Sequence, residues 1–197
     1  MYRLIFLIPL FFMFSACSGG TEKDTSTQES ETNTQTAVAT DNSGSESDGL
    51  LIVGIDQMKF TVQDQNVPNV TIGDKTSGTN YDELYIIEEI SAEAGEEMTI
   101  TLENNTNLPA QAMAHNFVLL KKDADVQSFV NASMTAAGND YIAEGSEDQI
   151  IAHTAMLGGG ESETLTFTVP SDPGEYTFVC TFPGHYGGGM WGVITVS

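Results

Sequence analysis

The amino-acid sequence predicts an all-β fold, a β-sandwich with one short helix inserted between its strands. Segments such as EMTITL at 97–102 and ETLTFTV at 163–169 alternate apolar with polar residues, which is the pattern of strands that are buried on one face. Turn-forming residues separate these segments, among them three glycines at 158–160 and an Asp-Pro-Gly run at 172–174. Many short strands divided by turns are typical of a sandwich.

Seven segments have the composition or alternation of strands. In chain order they are residues 50–55, 58–62, 97–102, 116–120, 163–169, 175–180 and 191–196. The helix is predicted from apolar residues at spacings of three and four, with Asp125 as the N-cap and Gly138 at the end. Residues 63–89 are predicted to form a hairpin or an extended excursion, and their function is not readable from the sequence.

Residues 1–16 are predicted to be a signal peptide. Arg3 precedes an apolar run at 4–14, which is shorter than the roughly 20 residues that a helix needs to span a bilayer. The Ser-Ala-Cys that follows resembles a bacterial lipobox, although Phe14 stands where leucine is more usual. This resemblance implies an exported lipoprotein of the periplasm or cell envelope, held to a membrane by lipid on Cys17. Ordinary signal cleavage nearby is the alternative.

Composition divides the rest of the chain in two. Residues 17–49 are rich in Ser, Thr, Glu, Asp and Asn, so they cannot bury enough surface to order themselves and are predicted to be a flexible, lipid-anchored linker. Residues 50–197 contain all the strand segments and are predicted to form one domain. If Cys17 carries lipid, Cys180 is the single thiol of the mature chain. Free thiols oxidise outside the cytoplasm, and a bond to a metal would explain its presence.

The chain is strongly acidic, with 28 Asp and Glu, 6 Lys and Arg, and a net charge of -22. Nucleic-acid binding needs a basic surface, so that class of function is excluded. The acidic field favours association with basic partner proteins. A generally solvated acidic surface, as in salt-adapted proteins, is the alternative.

The stretch CTFPGHYGGGM at 180–190 carries a thiol, an imidazole and a thioether on one short loop. Blue-copper sites combine one Cys and two His in a plane with a weak axial Met. Cys180, His185 and Met190 are the candidates on the loop, and His115 in MAHNFVLL is the candidate for the second His. One copper ion, cycling between Cu(I) and Cu(II), is the predicted cofactor. Zinc is the rival metal. A set of Cys, two His and Met suits zinc poorly, because zinc prefers Cys, His and carboxylate ligands.

The same loop contains the residues needed to turn these side chains toward one point. Pro183 and Gly184 bend the chain before His185. The glycines at 187–189 let the chain return so that Met190 faces the same point. Strands predicted on both sides would hold the loop rigid, which favours fast electron transfer because the ligands then move little between the two oxidation states.

These motifs resemble the azurin branch of the cupredoxins. The matching segments are DQM at 56–58, NLP at 107–109, MAHNFVL at 113–119, IAHT at 151–154 and CTFPGH at 180–185. The resemblance implies a Greek-key β-sandwich with one blue-copper centre that shuttles electrons between membrane-associated or periplasmic redox proteins. The gap between His185 and Met190 is longer than in azurins, and it is more similar to that of the membrane-associated auracyanins. The azurin disulfide is absent.

The resemblance also implies roles around the ligands. Asn116 and Phe182 would lie beside the ligands, and Asn116 would tie the His115 segment to the Cys180 loop. Azurins have a weak axial contact from the carbonyl that corresponds to Ala114, but they carry glycine there, and alanine argues against a close contact. An apolar docking patch around the edge of His185 would consist of Leu108, Ala112, Met113, Met134, Phe182, Pro183 and Gly184.

Some of these residues also have a purely structural interpretation. Met113 and Met134 would be ordinary core residues, and Asn116 a surface residue at a strand start. His153, in a loop-like context, is predicted to be exposed and not a ligand.

No catalytic acid, base or substrate pocket is recognisable, so the predicted protein is a monomeric electron carrier and not an enzyme. A copper carrier or storage protein is the main alternative. A domain of a copper enzyme would need a second metal site, and the sequence has no further His cluster for one.

Overall fold

The computed structural model describes residues 49–197, and the predicted signal peptide, Cys17 and linker lie outside the described residues. Ten strands and one α-helix are present in the described part of the chain. The strands are β1 (Leu50–Ile55), β2 (Lys59–Val62), β3 (Val70–Thr76), β4 (Leu84–Ala92), β5 (Glu97–Asn105), β6 (Val118–Leu120), β7 (Ile150–His153), β8 (Ser162–Thr168), β9 (Gly174–Val179) and β10 (Trp191–Val196). The helix, α1, spans Val126–Ser133. The predicted all-β fold with one short helix is confirmed.

The strands form one hydrogen-bonded path in the order β7-β6-β9-β10-β4-β2-β1-β5-β8, with β3 added to β4. The pairs β1–β5 and β10–β4 are parallel, and the other pairs are antiparallel. Buried side chains from nine of the ten strands meet in one main cluster. The tenth strand, β3, packs against this cluster through the partly buried Val70 and Ile72. The path therefore folds over on itself around one core.

Three phenylalanines in this core connect it to the ligand segments. Phe117 and Phe178 stack with ring centroids 5.0 Å apart, and Phe60 of β2 packs against both rings. Phe117 lies two residues after His115, and Phe178 two residues before Cys180. Burying a side chain of this size contributes about 1.5–3 kcal/mol, so the stacked pair holds the two ligand segments at a fixed spacing.

The helix begins where the sequence predicts and ends earlier. Asp125 is the N-cap, and its carboxylate accepts a 3.0 Å hydrogen bond from the Ser128 amide. The prediction that the helix continues to Gly138 is wrong. The amide of Ala136 bonds the carbonyl of Ser133, a tighter turn that ends the helix, and residues 137–139 form a separate 3-10 turn. No described helix is both long and apolar enough to cross a bilayer.

The excursion predicted at 63–89 is a hairpin of β3 and β4 with irregular register. Leu84, at the start of β4, is fully buried with Val53 and Ile55 of β1. The hairpin therefore covers the outer face of β1. A strand that the sequence patterns did not predict, β7, pairs with β6.

Candidate metal centre

The strand topology brings the predicted ligands to one end of the sheet. Cys180 directly follows β9, and Met190 directly precedes β10. Because β9 is antiparallel to both β6 and β10, the end of β9 lies beside the beginnings of those two strands. His115 lies just before β6 and is held by two backbone hydrogen bonds to Leu157, of 3.0 and 2.8 Å.

Three ligand-type atoms converge there. Cys180 Sγ lies 3.4 Å from His185 Nδ1 and 3.9 Å from His115 Nδ1, and the donor atoms of the three residues all lie within 4.8 Å of one another. Nitrogen and sulfur ligands at about 2.0 and 2.3 Å from one ion, on trigonal directions, are about 3.7 Å apart. The spacing and the donor set of one thiol and two imidazoles therefore fit one copper ion.

Burial sets the protonation of these side chains. His115 and Cys180 are 0% exposed, and His185 is 3% exposed. Removal from water lowers the pKa of His115 to about 3, with a further lowering from the charge of His185, and burial lowers the pKa of His185 to about 4. Burial also raises the pKa of the Cys180 thiol to about 12, against a smaller lowering by the backbone amides of Asn116 and Phe182. The metal-free site therefore holds two neutral imidazoles and a thiol at neutral pH.

The two axial candidates lie beside these groups. Met190 is 0% exposed. A Cβ atom placed on Gly54 would lie 2.9 Å from His115 Cδ2 and 3.2 Å from Met190 Cε, so the thioether end and the His115 ring pack over the same glycine. The carbonyl oxygen of Ala114 lies 3.9 Å from Cys180 Sγ.

Backbone hydrogen bonds fold the loop between β9 and β10 into a compact turn. Gly184 and Gly189 have φ angles of 88° and 91°, which favour glycine because other residues strain there. The Met190 amide donates to the His185 carbonyl at 2.9 Å, and the Cys180 amide donates to the Met190 carbonyl at 3.1 Å. These bonds couple the loop ligands to one another.

Asn116 is buried and bonds the loop, as predicted for the residue that ties the two ligand segments. Its side-chain oxygen accepts from the Thr181 amide at 2.9 Å, and its Nδ2 donates to Thr181 Oγ1 at 2.8 Å. A third bond, of 3.1 Å, reaches the Asp140 carbonyl. The alternative of a surface residue does not hold, because Asn116 is 0% exposed.

The turn between β1 and β2 also contacts the loop, and sequence reasoning missed this. Lys59 Nζ donates a 2.8 Å hydrogen bond to the Gly188 carbonyl. A Cβ atom on Gly188 would lie 2.7 Å from Met58 Sδ. The run of three glycines was the only signal, since glycine permits close approach of another segment.

The residues predicted to form the docking patch differ in exposure. Leu108 and Met134 are 44% and 42% exposed, so Met134 is not a core residue. Ala112, Pro183 and Gly184 are also exposed, and Met113 is partly buried. Their grouping into one patch stays a prediction.

Phe182 and His153 differ in burial. Phe182 is buried, with its ring centroid 4.7 Å from that of His185. His153 is exposed, as predicted, but the loop-like context assigned to it is wrong, because it is the last residue of β7. Apart from the triad, the described residues contain no further group of three or more His, Cys, Asp or Glu side chains arranged to hold a metal.

Comparison with known proteins agrees with this geometry. Azurin from Alcaligenes faecalis is 39% identical over 92 residues, which are 46% of this chain and 71% of azurin. Outer membrane protein H.8 from Neisseria meningitidis is 38% identical over 110 residues, and the chain spans 56% of its length. The crystal structure of reduced auracyanin from Roseiflexus castenholzii matches with a TM-score of 0.51 and 39% identity, covering 57% of this chain and 86% of auracyanin.

The family comparison covers most of the described residues. Residues 72–197 match copper binding proteins of the plastocyanin/azurin family. The match spans all three residues of the converging triad and more than half of the chain. This chain therefore belongs to the plastocyanin/azurin family of copper-binding proteins.

Proposed function

We propose that this protein transfers single electrons through one copper ion, with Cys180, His115 and His185 as equatorial ligands and Met190 as the axial ligand. The observation that carries the proposal is the buried convergence of the Cys180 sulfur and two imidazole nitrogens within 4.8 Å. Copper, when bound, supplies a one-electron couple between Cu(I) and Cu(II). The Ala114 carbonyl, 3.9 Å from Cys180 Sγ, would contribute at most a weak additional axial contact.

The surrounding residues favour this function because they keep the ligands fixed. The Asn116–Thr181 hydrogen bonds hold the two ligand segments together. The backbone amides of Asn116 and Phe182 lower the pKa of the Cys180 thiol and would stabilise negative charge on the thiolate. Ligands that keep one arrangement in both oxidation states lower the barrier to electron transfer.

We propose that electrons enter and leave the copper site through His185. It is the one member of the triad that reaches the surface, at 3% exposure. Its neighbours Pro183 and Gly184 are exposed, and a small apolar surface there would suit brief docking, since small interfaces release quickly.

The copper site is tested by visible absorption of the copper-loaded domain. We expect the intense thiolate-to-copper band of a blue-copper centre in the wild type and its complete loss in Cys180→Ala. His153→Gln is the matched control, because His153 is exposed, and it should keep the band. A wild type without the band, or a Cys180→Ala variant that retains it, would contradict the proposal.

Kinetic measurements distinguish an electron-transfer protein from a copper carrier or storage protein. Fast electron self-exchange between the reduced and oxidised proteins, with copper retained against a chelator, is the expected result. Slow self-exchange with ready transfer of copper to an acceptor would identify a copper carrier or storage protein instead.

We further propose that the protein is exported to the cell envelope and anchored by lipid on Cys17, with residues 1–16 removed as a signal peptide and 17–49 as a tether for the domain at 50–197. The lipobox-like sequence supports this proposal, and so does the similarity to a protein named as an outer membrane protein. Cys17→Ala should release the protein from the membrane fraction. Unchanged membrane association would contradict the anchor.

The proposed partners are redox proteins with a basic docking surface. Residues 49–197 contain 21 acidic residues and four lysines, and such a field steers basic partners. Rates of electron transfer with a basic cytochrome should fall as salt is added. Salt-independent rates would leave the apolar patch as the main docking element.

A further inference from the structure

Lys59, the first residue of β2, is bound to the ligand loop and not to an acidic side chain. Its Nζ donates a 2.8 Å hydrogen bond to the carbonyl of Gly188, which lies 129 positions away in the sequence. Among the described residues, Lys75 and Lys122 pair with carboxylates. With 21 acidic residues and four lysines at 49–197, a lysine held on a backbone carbonyl needs a local explanation.

The loop is shaped around this lysine and its neighbour. Gly189 has a φ angle of 91°, and a Cβ atom on it would collide with Lys59 Nζ. A Cβ atom on Gly188 would lie 2.7 Å from Met58 Sδ. Gly189 is therefore favoured by its backbone angle, and Gly188 lies in close contact with the side chain of Met58, where the turn between β1 and β2 meets the loop. Met190 follows these two glycines directly.

We propose that Lys59 is a positioning residue that holds the Gly188–Gly189 segment, and with it Met190, and that its positive charge raises the reduction potential of the copper. This inference rests on the proposed function. The hydrogen bond lies two residues before the axial candidate, and the Met190 amide and carbonyl are themselves bonded to His185 and Cys180. A fixed Lys59 therefore restrains the whole ligand loop.

The sign of the electrostatic effect follows from the charge of the two oxidation states. A nearby positive charge disfavours Cu(II) more than Cu(I), because Cu(II) carries one more positive charge. The bond of Lys59 to Gly188 is partly buried, and partly buried charges are screened less by salt than exposed ones. Removing the charge should therefore lower the reduction potential.

Three variants test this inference. Lys59→Met removes the charge and the donor but keeps a side chain of similar shape, and Lys59→Arg keeps both the charge and a donor. Lys121→Met is the matched control, because it removes the same charge from an exposed residue at the end of β6 remote from His115. The measurements are the reduction potential of the copper-loaded protein and amide hydrogen exchange at 186–189 in the metal-free protein.

We expect Lys59→Met to raise the ratio of Cu(II) to Cu(I) affinity at least threefold. A threefold rise lowers the reduction potential by about 28 mV for a one-electron couple. Amide exchange at 186–189 should become at least tenfold faster. Lys59→Arg should retain most of the wild-type potential, and Lys121→Met should produce less than a third of the shift.

Equal shifts in Lys59→Met and Lys121→Met, or unchanged exchange at 186–189, would overturn the assignment. Failure of the proposed function is distinguishable, because wild-type protein would then lack the blue-copper band. The exchange measurement needs no copper and would still test the positioning role. If Lys59→Met does not fold, Lys59→Gln still removes the charge, and a reduction potential equal to that of the wild type would overturn the electrostatic part of the assignment.

Discussion

At the scale of single residues, packing and not a hydrogen bond positions the Nε2 side of the His115 ring. Its Nε2 atom is buried and has no hydrogen-bond partner among the described residues. Histidines that bind metals usually donate this second N–H to an acceptor, and an unpaired buried donor costs about 1–3 kcal/mol. Gly54 takes over the orienting role, because the ring and the end of Met190 fill the space that a side chain at 54 would need.

Substitution of Gly54 by alanine should therefore disturb the centre. A Cβ atom 2.9 Å from His115 Cδ2 and 3.2 Å from Met190 Cε must push one of them aside, and overpacking of this kind costs about 1–3 kcal/mol. We expect a less stable metal-free protein in urea unfolding and a weakened, shifted visible band after copper loading. Gly138→Ala is the control, since no atom lies within 4 Å of a Cβ there. A Gly54→Ala protein with wild-type stability and spectrum would contradict this account.

At the scale of elements, the hairpin of β3 and β4 serves the fold and not the copper chemistry. Its loop is bound to the end of β5, where the Asn80 amide donates to Asn105 Oδ1 at 3.1 Å and Tyr81 donates to Glu103 at 3.0 Å. Leu84 fills the space over β1. The hairpin thus protects the outer face of a strand whose inner face carries part of the main core.

Truncation of Leu84 separates these two roles. Leu84 is 0% exposed, and a buried Leu→Ala change costs about 2–5 kcal/mol. Leu84→Ala should lower the free energy of unfolding by that amount and leave the visible band of the copper-loaded protein unchanged. Leu51→Ala is the control, because Leu51 is 38% exposed and its loss should have little effect. A changed band in Leu84→Ala would show that the hairpin also acts on the metal centre.

At the scale of the whole molecule, the predictable features were those that the sequence encodes locally. Cys180, His185 and Met190 lie on one loop, and their soft ligand chemistry could be recognised without a fold. Strand β7 reads Ile-Ile-Ala-His, which does not alternate apolar with polar residues. The contact of Lys59 with Gly188 joins positions that only the closed sheet brings together, so no local pattern indicates it.

The burial of both histidines has a consequence for the stability of the entire metal-free protein. The ordinary pKa of 6.5 falls to about 3 for His115 and to about 4 for His185, mainly because burial disfavours the charged imidazolium. Well above pH 6.5 both rings are neutral in the folded and unfolded states. Between pH 6.5 and 4 the unfolded chain takes up protons that the folded chain excludes, so stability falls as the pH falls.

Urea unfolding of the metal-free protein at pH 7.5, 6.5, 5.5 and 4.5, with a thiol reductant present, measures this loss. Each excluded proton adds to the pH dependence of the free energy of unfolding a slope that approaches about 1.4 kcal/mol per pH unit. Carboxylates contribute a further pH dependence in part of the same range. His185→Gln removes one imidazole and leaves the carboxylates in place, so the difference between the two proteins isolates the histidine contribution. We expect the variant to lose about one proton's slope between pH 6 and 4.5. Equal slopes in both proteins would mean that His185 takes up its proton in the folded state, and the buried, neutral metal-free site described above would be wrong.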